Sequence, residues 1–286
     1  MKLSRIALAA TAFLATSPLA AAPSRLTVPL SDPAKPATLE VSLVMGSVHV
    51  VAGKAGEVVL EASAARDDQG QDDAMAPAIA GRTSDRADRE HPHMHKIPNA
   101  TLDLTADEDH NRVRVSTSSF MHALDLEIQV PPESSLKLST VNDGDIEVAG
   151  VGGDLDLHNT NGDIRVEDAR GPVTATTVNG DVKVVFSGTM AAAPMAFSTL
   201  NGDVDLTLPP TAKANVRLRS DNGDIYSDFD VALSPAPAKI EQDQAKGKYR
   251  VSIAKELTGT IAGGGPELFL KTFNGDILLR KAGGGH

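Results

Sequence analysis

The sequence predicts an all-β protein, and within that class a parallel β-helix or β-solenoid with about 18–22 residues per turn. Three observations predict it. A corner sequence built on Asn-Gly-Asp returns at a near-fixed period. Apolar and polar residues alternate on either side of each copy, as expected of strands with one buried face. The chain has seven Phe, two Tyr and no Trp, so its core must be made of Val, Leu, Ile, Ala and Met, which suits a thin, elongated interior.

The corner first reads Thr140-Val141-Asn142-Asp143-Gly144-Asp145-Ile146. It returns as Thr160-Asn161-Gly162-Asp163-Ile164, Thr177-Val178-Asn179-Gly180-Asp181-Val182 and Thr199-Leu200-Asn201-Gly202-Asp203-Val204. Two more copies are Ser220-Asp221-Asn222-Gly223-Asp224-Ile225 and Thr272-Phe273-Asn274-Gly275-Asp276-Ile277. The glycines lie 18, 18, 22, 21 and 52 residues apart. Asn and Gly both tolerate positive φ, so the chain can bend sharply there. The Asp that follows can accept backbone N–H bonds at the bend. Gly153-Asp154-Leu155, nine residues from Gly144 and from Gly162, marks a half-turn corner.

The same alternation fits a second architecture. If each Asn-Gly is a two-residue hairpin turn, the chain becomes an antiparallel meander or sandwich, with Leu157 opposite Val166. The solenoid is preferred because it accounts for the near-constant period and the nine-residue half step. It would also line up Thr140, Asn159, Thr177, Thr199, Ser220 and Thr272 as an inward polar column whose stacked residues satisfy one another. It carries a cost, since Asp145, Asp163, Asp181, Asp203 and Asp224 would stack roughly 4.8 Å apart. Neighbouring carboxylates in water repel by about 1 kcal/mol per pair. Solvation, backbone N–H donors or cations must offset this.

In chain order, residues 1–22 have the pattern of a secretory signal. Lys2 and Arg5 form the charged start, Ile6 to Leu14 the apolar middle, and Ala20-Ala21-Ala22 the small-residue end. That apolar run is too short to span a membrane, and no later segment is long and apolar enough either. The expected location is therefore the periplasm, the cell surface or the medium. The solenoid domain is expected over residues 23–286, with two interruptions. Residues 23–40 form a proline-bearing lead-in, and Val41 to Val50 read as a first copy with Gly46-Ser47 in place of Gly-Asp. Strands are expected at Val58–Ala62, Thr101–Leu104, Val113–Val115 and Leu124–Val130, the last stopped by Pro131-Pro132. Residues 64–98 show no buried period and are expected to be a disordered insertion. Residues 230–262 form an irregular excursion that holds a strand at Val251–Ile253.

Without Lys2 and Arg5 the net charge falls from -11 to -13. An acidic exported chain is a poor partner for nucleic acid or an anionic membrane, and no nucleic-acid partner is expected. Cysteine is absent, which removes disulfides, a lipid-bearing Cys and thiol chemistry. There is no Gly-x-Ser-x-Gly and no His-Glu-x-x-His. Arg165 and Lys183 could face outward among the acids, as in β-helices that cleave acidic polysaccharides, but such positions usually belong to a solvated face. The Gly-Asp column could suit calcium, yet each copy offers one Asp where calcium β-rolls offer more oxygens. Asp221-Asn222-Gly223-Asp224 looks like the start of an EF-hand loop that no Glu closes. The corner residues are therefore read as structural turn repeats, and no cofactor is expected. One metal candidate stands apart. His91, His93 and His95 lie within five residues, beside Asp67, Asp68, Asp72 and Asp73, and imidazoles so spaced could hold zinc, nickel or copper.

The pattern resembles a bacterial family of exported β-strand-repeat proteins of unknown function, described as candidate adhesins and similar to the adhesin head domain called GIN. Three stretches carry the resemblance. They are Leu126-x-Ile128-x-Val130-Pro131 with Leu136-x-Leu138-x-Thr140, the repeated Asn-Gly-Asp-Ile/Val, and Leu206-x-Leu208-Pro209 leading to Asn222 through Phe229. It spans roughly residues 38–63 and 100–280, and the insertion at 64–98 departs from it. The resemblance implies a right-handed parallel β-helix on the cell envelope and implies no catalytic residues. The expected function is a non-enzymatic exported scaffold that presents a binding or adhesion surface. Its partner would be an envelope protein, an envelope polymer or a second copy of the chain. The competing readings are a periplasmic metal-binding protein that uses the insertion and, third, a polysaccharide-active enzyme.

Overall fold

The computed structural model describes residues 24–64, 104–117, 123–142, 144–234, 238–243, 248–253 and 256–283. The signal-like segment and most of the insertion, His91, His93 and His95 included, lie outside the described residues. The chain opens with β1 (Ser24–Pro29), β2 (Thr38–Ser42), β3 (Val48–Ala52) and β4 (Glu57–Ala64). It resumes with β5 (Leu104–Asp109), β6 (Arg112–Thr117) and β7 (Leu124–Val130). The repeats supply β8 (Ser135–Ser139), β9 (Ile146–Ala149), β10 (Leu155–His158), β11 (Ile164–Ala169), β12 (Val173–Thr176), β13 (Val182–Phe186), β14 (Met195–Ser198) and β15 (Val204–Leu208). After them come β16 (Ala214–Asn222), β17 (Ile225–Ser227), β18 (Val231–Leu233), β19 (Ala238–Asp243), β20 (Lys248–Ile253), β21 (Leu257–Ile261), β22 (Glu267–Asn274) and β23 (Ile277–Lys281).

These strands form two long sheets and a separate β19-β20 hairpin. From β8 to β17 successive strands alternate between the sheets, so each pair is one rung, and each rung lies parallel on its neighbour. Ile146 pairs with Ile164, Ile164 with Val182, and Val182 with Val204. In the facing sheet Leu136 pairs with Leu155 and Leu155 with Val173. The chain is thus a solenoid of parallel rungs, and the hairpin arrangement is ruled out. Leu157 pairs with Leu138 and Ala175, and not with Val166. The local reason is in the backbone. A type I′ hairpin turn needs positive φ at both central residues. Here Gly162, Gly180 and Gly202 take φ of 144–145°, while their asparagines do not take positive φ and form rung-to-rung bridges.

Inward residues of the two sheets meet in one continuous core. Ile146, Ile164, Val182, Val204 and Ile277 form one fully buried row, and Leu138, Leu157, Ala175, Phe197 and Leu270 form another on the opposite sheet. Burying each large aliphatic contributes about 1.5–3 kcal/mol. Phe186 and Phe197 meet edge to face, with ring centres 6.4 Å apart. Asp168, at φ 55°, makes a bulge between Val166 and Ala169 that turns Ala169 back into the core.

The spatial order of the rungs departs from the sequence order at both ends. Along the axis the rungs run β6/β7, β2/β3, β8/β9, β10/β11, β12/β13, β14/β15, β22/β23 and β16/β17. The last copy of the repeat is therefore not the last rung. It slots between β14/β15 and β16/β17, pairing on both sides in each sheet. Antiparallel strands cap the ends, with β4 on β7 and β1 on β4, β5 on β6, and β21 on β16. Only β17, three residues long, leaves its sheet uncapped at that end among the described strands.

This order makes a prediction. Removing residues 264–286 takes away β22 and β23, which separates β14 from β16 and β15 from β17. Removing residues 238–253 takes away only the hairpin outside both sheets. Far-UV circular dichroism melts should show a folded, cooperative protein for the second deletion and loss of the cooperative transition, or insolubility, for the first.

Candidate functional site

The corner that joins the two strands of each rung is the most regular surface of the molecule. Three features stack along it. The innermost is the polar column. Thr140, Asn159, Thr177, Thr199 and Thr272 are buried there, and Ser220 is half-buried. These residues do not bond one another as the sequence suggests. All but Thr140 reach the glycine carbonyl of the adjacent rung. Asn159 Nδ2 donates to Gly144 O at 2.9 Å, Thr177 Oγ1 to Gly162 O at 3.0 Å and Thr199 Oγ1 to Gly180 O at 2.8 Å. Thr272 donates to Gly202 O and Ser220 to Gly275 O, both at 2.9 Å. The glycine carbonyl at the bend has no ladder partner on that side, so a side chain of the polar column supplies one. Thr140, at the start of the column, is buried with no hydroxyl partner among the described residues.

The second feature is an asparagine ladder. Asn161 Nδ2 donates to Asn142 Oδ1 at 3.0 Å. Asn179 donates to Asn161, Asn201 to Asn179 and Asn274 to Asn201, each at 2.7 Å. Asn222 donates to Asn274 at 3.0 Å and ends the ladder. Every amide points the same way, which lets the bonds polarise one another.

The third is the aspartate column, and here the structure answers the repulsion that stacking implies. The Asp163 N–H donates to Asp145 Oδ1, the Asp181 N–H to Asp163 and the Asp203 N–H to Asp181, all at 2.8 Å. The Asp276 N–H donates to Asp203 and the Asp224 N–H to Asp276 at 2.7 Å. Backbone donors thus hold each interior carboxylate of the column. Ser47 plays the acceptor for Asp145 N–H at 3.4 Å, which explains Gly-Ser in the first copy. Arg165 adds positive charge, reaching Asp163 at 2.6 Å, Asp145 at 3.0 Å and Glu147 at 3.6 Å. Burial works to lower the Arg165 pKa, but the Asp145 bond and the three acidic charges outweigh it and hold the guanidinium above its ordinary value. Arg280 closes on both oxygens of Asp205 at 3.0 Å.

Beside the columns, Asp163, Arg165, Asp181, Lys183, Asp203, Asp205 and Arg280 line a groove of about 340 Å³. Arg165 and Lys183 do face outward among acids, as the sequence implies. The cations and carboxylates there alternate, and the Asp163 and Asp205 charges are already neutralised by bonded guanidinium groups. That is the pattern of a solvated charged face. At the open end of the sheet Tyr226 is exposed, and its hydroxyl lies 3.5 Å from Asp224 Oδ2. The charges of Asp224 and Asp276 push the phenol pKa above its ordinary value.

An apolar ridge runs between the polar column and the asparagine ladder. It consists of Val44, Val141, Val178, Leu200 and Phe273, each 37–46% exposed, with Thr160 in the middle. Sequence reasoning missed it. The alternation rule sorts strand residues onto two faces and says nothing of a corner. The available signal was the variable position of Thr-x-Asn, which is apolar in four of its copies. The structure thus brings Asn142, Gly144, Asp145 and their five later counterparts into one stacked edge. No group of three or more His, Asp or Glu side chains placed to hold a metal occurs among the described residues.

A two-sheet parallel solenoid with a stacked Asn-Gly-Asp edge is the class that fold and corner define. A sequence model of the family Toastrack DUF4097 matches residues 134–262, which run from β8 to β21. The resemblance to a β-strand-repeat family of unknown function stands on that match. No curated protein matches the chain. Among solved structures, a candidate cell adhesion protein from Clostridium sporogenes is 8% identical with a TM-score of 0.40, over 91% of this chain and 99% of that one. A candidate adhesin from Bacteroides fragilis is 10% identical with a TM-score of 0.36, over 90% and 97% of the two chains. A candidate lipid binding protein from Parabacteroides distasonis is 8% identical with a TM-score of 0.29, over 92% and 97%.

Two predictions follow from the corner. Thr199→Val keeps the shape but strands the buried Gly180 carbonyl, and should cost about 1–3 kcal/mol in denaturant unfolding. The exposed Lys213→Ala should cost nothing measurable in the same assay. In a Tyr249→Phe background, absorbance titration of Tyr226 should give a pKa above the ordinary tyrosine value, and Asp224→Asn should bring it back towards that value.

Proposed function

We propose that this chain is a non-enzymatic exported scaffold that presents its corner edge to a partner at the cell envelope. The observation that supports this reading is the apolar ridge. Large apolar side chains lined up on a surface, with polar columns on both sides, are typical of contact sites. Their neighbours are fixed by the ladder, so the ridge is held rigid before binding and little ordering entropy is lost. The signal-like residues 1–22 and the acidic balance fit an exported location away from nucleic acid. The partner is an envelope protein or polymer with an apolar, weakly charged contact strip. The metal-binding reading rests on the spacing of His91, His93 and His95 beside Asp67, Asp68, Asp72 and Asp73, all outside the described residues, and the enzyme reading has no residue set to support it.

The test uses purified protein and isolated envelope fractions. Binding should be saturable, and Leu200→Glu and Phe273→Glu should each weaken it by about tenfold or more while leaving the melting curve nearly unchanged. Lys213→Glu, away from this edge, should bind like the parent. Equal binding by all variants, or no saturable binding by the parent, overturns the reading.

A further inference from the structure

The ladder has a chemical consequence that its regularity hides. Asn-Gly is the sequence most prone to deamidation, because the glycine amide nitrogen can attack the asparagine side-chain carbonyl without steric hindrance. The chain carries five such pairs at its corners, Asn161-Gly162, Asn179-Gly180, Asn201-Gly202, Asn222-Gly223 and Asn274-Gly275. In four of them the reacting groups are tied to the next rung. The Gly162 N–H donates to Asn179 O at 2.8 Å, and Gly180 N–H to Asn201 O at 2.9 Å. Gly202 N–H donates to Asn274 O at 2.9 Å and Gly275 N–H to Asn222 O at 3.0 Å. In the same four, the side-chain Oδ1 accepts an amide from the next asparagine, and the Nδ2 donates to the one before.

Asn222-Gly223 sits on the last rung, with no further rung beyond it. Its Nδ2 still donates to Asn274. Its Oδ1 and the Gly223 N–H meet no partner among the described residues. Exposure does not separate this pair from the rest, because Asn179, Asn201 and Asn274 are exposed as well. The difference is the number of ladder bonds that must open before the nitrogen can reach Cγ.

We propose that Asn222 is a spontaneous modification site, and that the ladder protects the other four pairs. The Gly223 amide nitrogen bonds to Asn222 Cγ and loses its proton, the Cγ–Nδ2 bond breaks, and ammonia leaves. A five-membered succinimide remains. Water then adds to either ring carbonyl and opens it to aspartate or isoaspartate. The net change is amide plus water to carboxylic acid plus ammonia, with no oxidant or reductant. The product carboxylate cannot donate to Asn274 Oδ1, and it adds a negative charge beside Asp224 and Asp276. It therefore removes the bond that holds the end of the ladder and leaves Asn274-Gly275 as the next pair to react.

The experiment is incubation of the purified, exported-length chain in mildly alkaline buffer made with oxygen-18 water, followed by peptide mass spectrometry at all five corners. In the folded protein, label should enter Asn222 at least about tenfold faster than any other pair, since each ladder bond to be opened slows the reaction by a factor of that order. In concentrated urea the five rates should converge. Asn222→Gln should abolish uptake at that corner and leave uptake at Asn161, Asn179 and Asn201, whose ladder bonds it does not touch, unchanged. Comparable rates at all five corners of the folded protein overturn the proposal, as does a ladder asparagine that reacts first. A tenfold lead for Asn222 that persists in urea also overturns it, because the cause would then be local sequence.

Discussion

The structure depends on one close approach. At each corner the glycine of one rung lies against the glycine carbonyl of the rung before it. A Cβ at Gly180 would sit 2.2 Å from Gly162 O, at Gly202 2.1 Å from Gly180 O, and at Gly275 2.0 Å from Gly202 O. Carbon and oxygen cannot come so near, and the φ of 144–146° at these positions disfavours any side chain as well. Glycine is therefore required twice over. Because the backbones touch there, the residue on either side is set to within a fraction of an ångström. The asparagines fall within bonding distance of one another, the aspartates meet the next N–H, and the threonines reach a carbonyl that would otherwise be buried unpaired. The three columns are consequences of the glycine contact and would separate together if it were lost.

That constraint also explains why a column of like charges is tolerated. Two bare carboxylates at this spacing repel by about 1 kcal/mol in water, whereas a hydrogen bond from backbone N–H to a carboxylate stabilises by about 1.5–3 kcal/mol. The second term wins at each step of the interior column. The exposed guanidinium pairs of Arg165 and Arg280 add little on their own, since exposed ion pairs contribute about 0–1 kcal/mol. Their role is to keep the outer oxygens compensated.

Much of this architecture was readable from residues alone. The period of Asn-Gly-Asp and the nine-residue half step gave parallel rungs and two corners per turn. The buried threonine column and the Ser47 variant of the first copy were both visible as substitutions at fixed positions. Three things were not readable. The hydrogen-bond partners of Thr177 and Thr199 depend on a backbone carbonyl, which has no letter in the sequence. The ridge of Val178, Leu200 and Phe273 lies on a bend, where period-two reasoning stops. The placement of Asn274 between Asn201 and Asn222 is set by pairing energies between segments far apart in the chain, and a repeat 52 residues late carries no mark of where it will insert.

That insertion has a bearing on how the protein comes to be made. A chain synthesised from its N-terminus presents the β14/β15 and β16/β17 rungs before β22/β23. The rung that must lie between them emerges after both. The two flanking rungs cannot take their native register until β22 and β23 are available to pair between them. The apolar faces of Val204, Leu206 and Leu218 stay open to water, or to a chaperone, for the whole of that wait. The speed of chain synthesis, rather than the intrinsic rate of strand pairing, then sets how long the nascent solenoid remains exposed to aggregation.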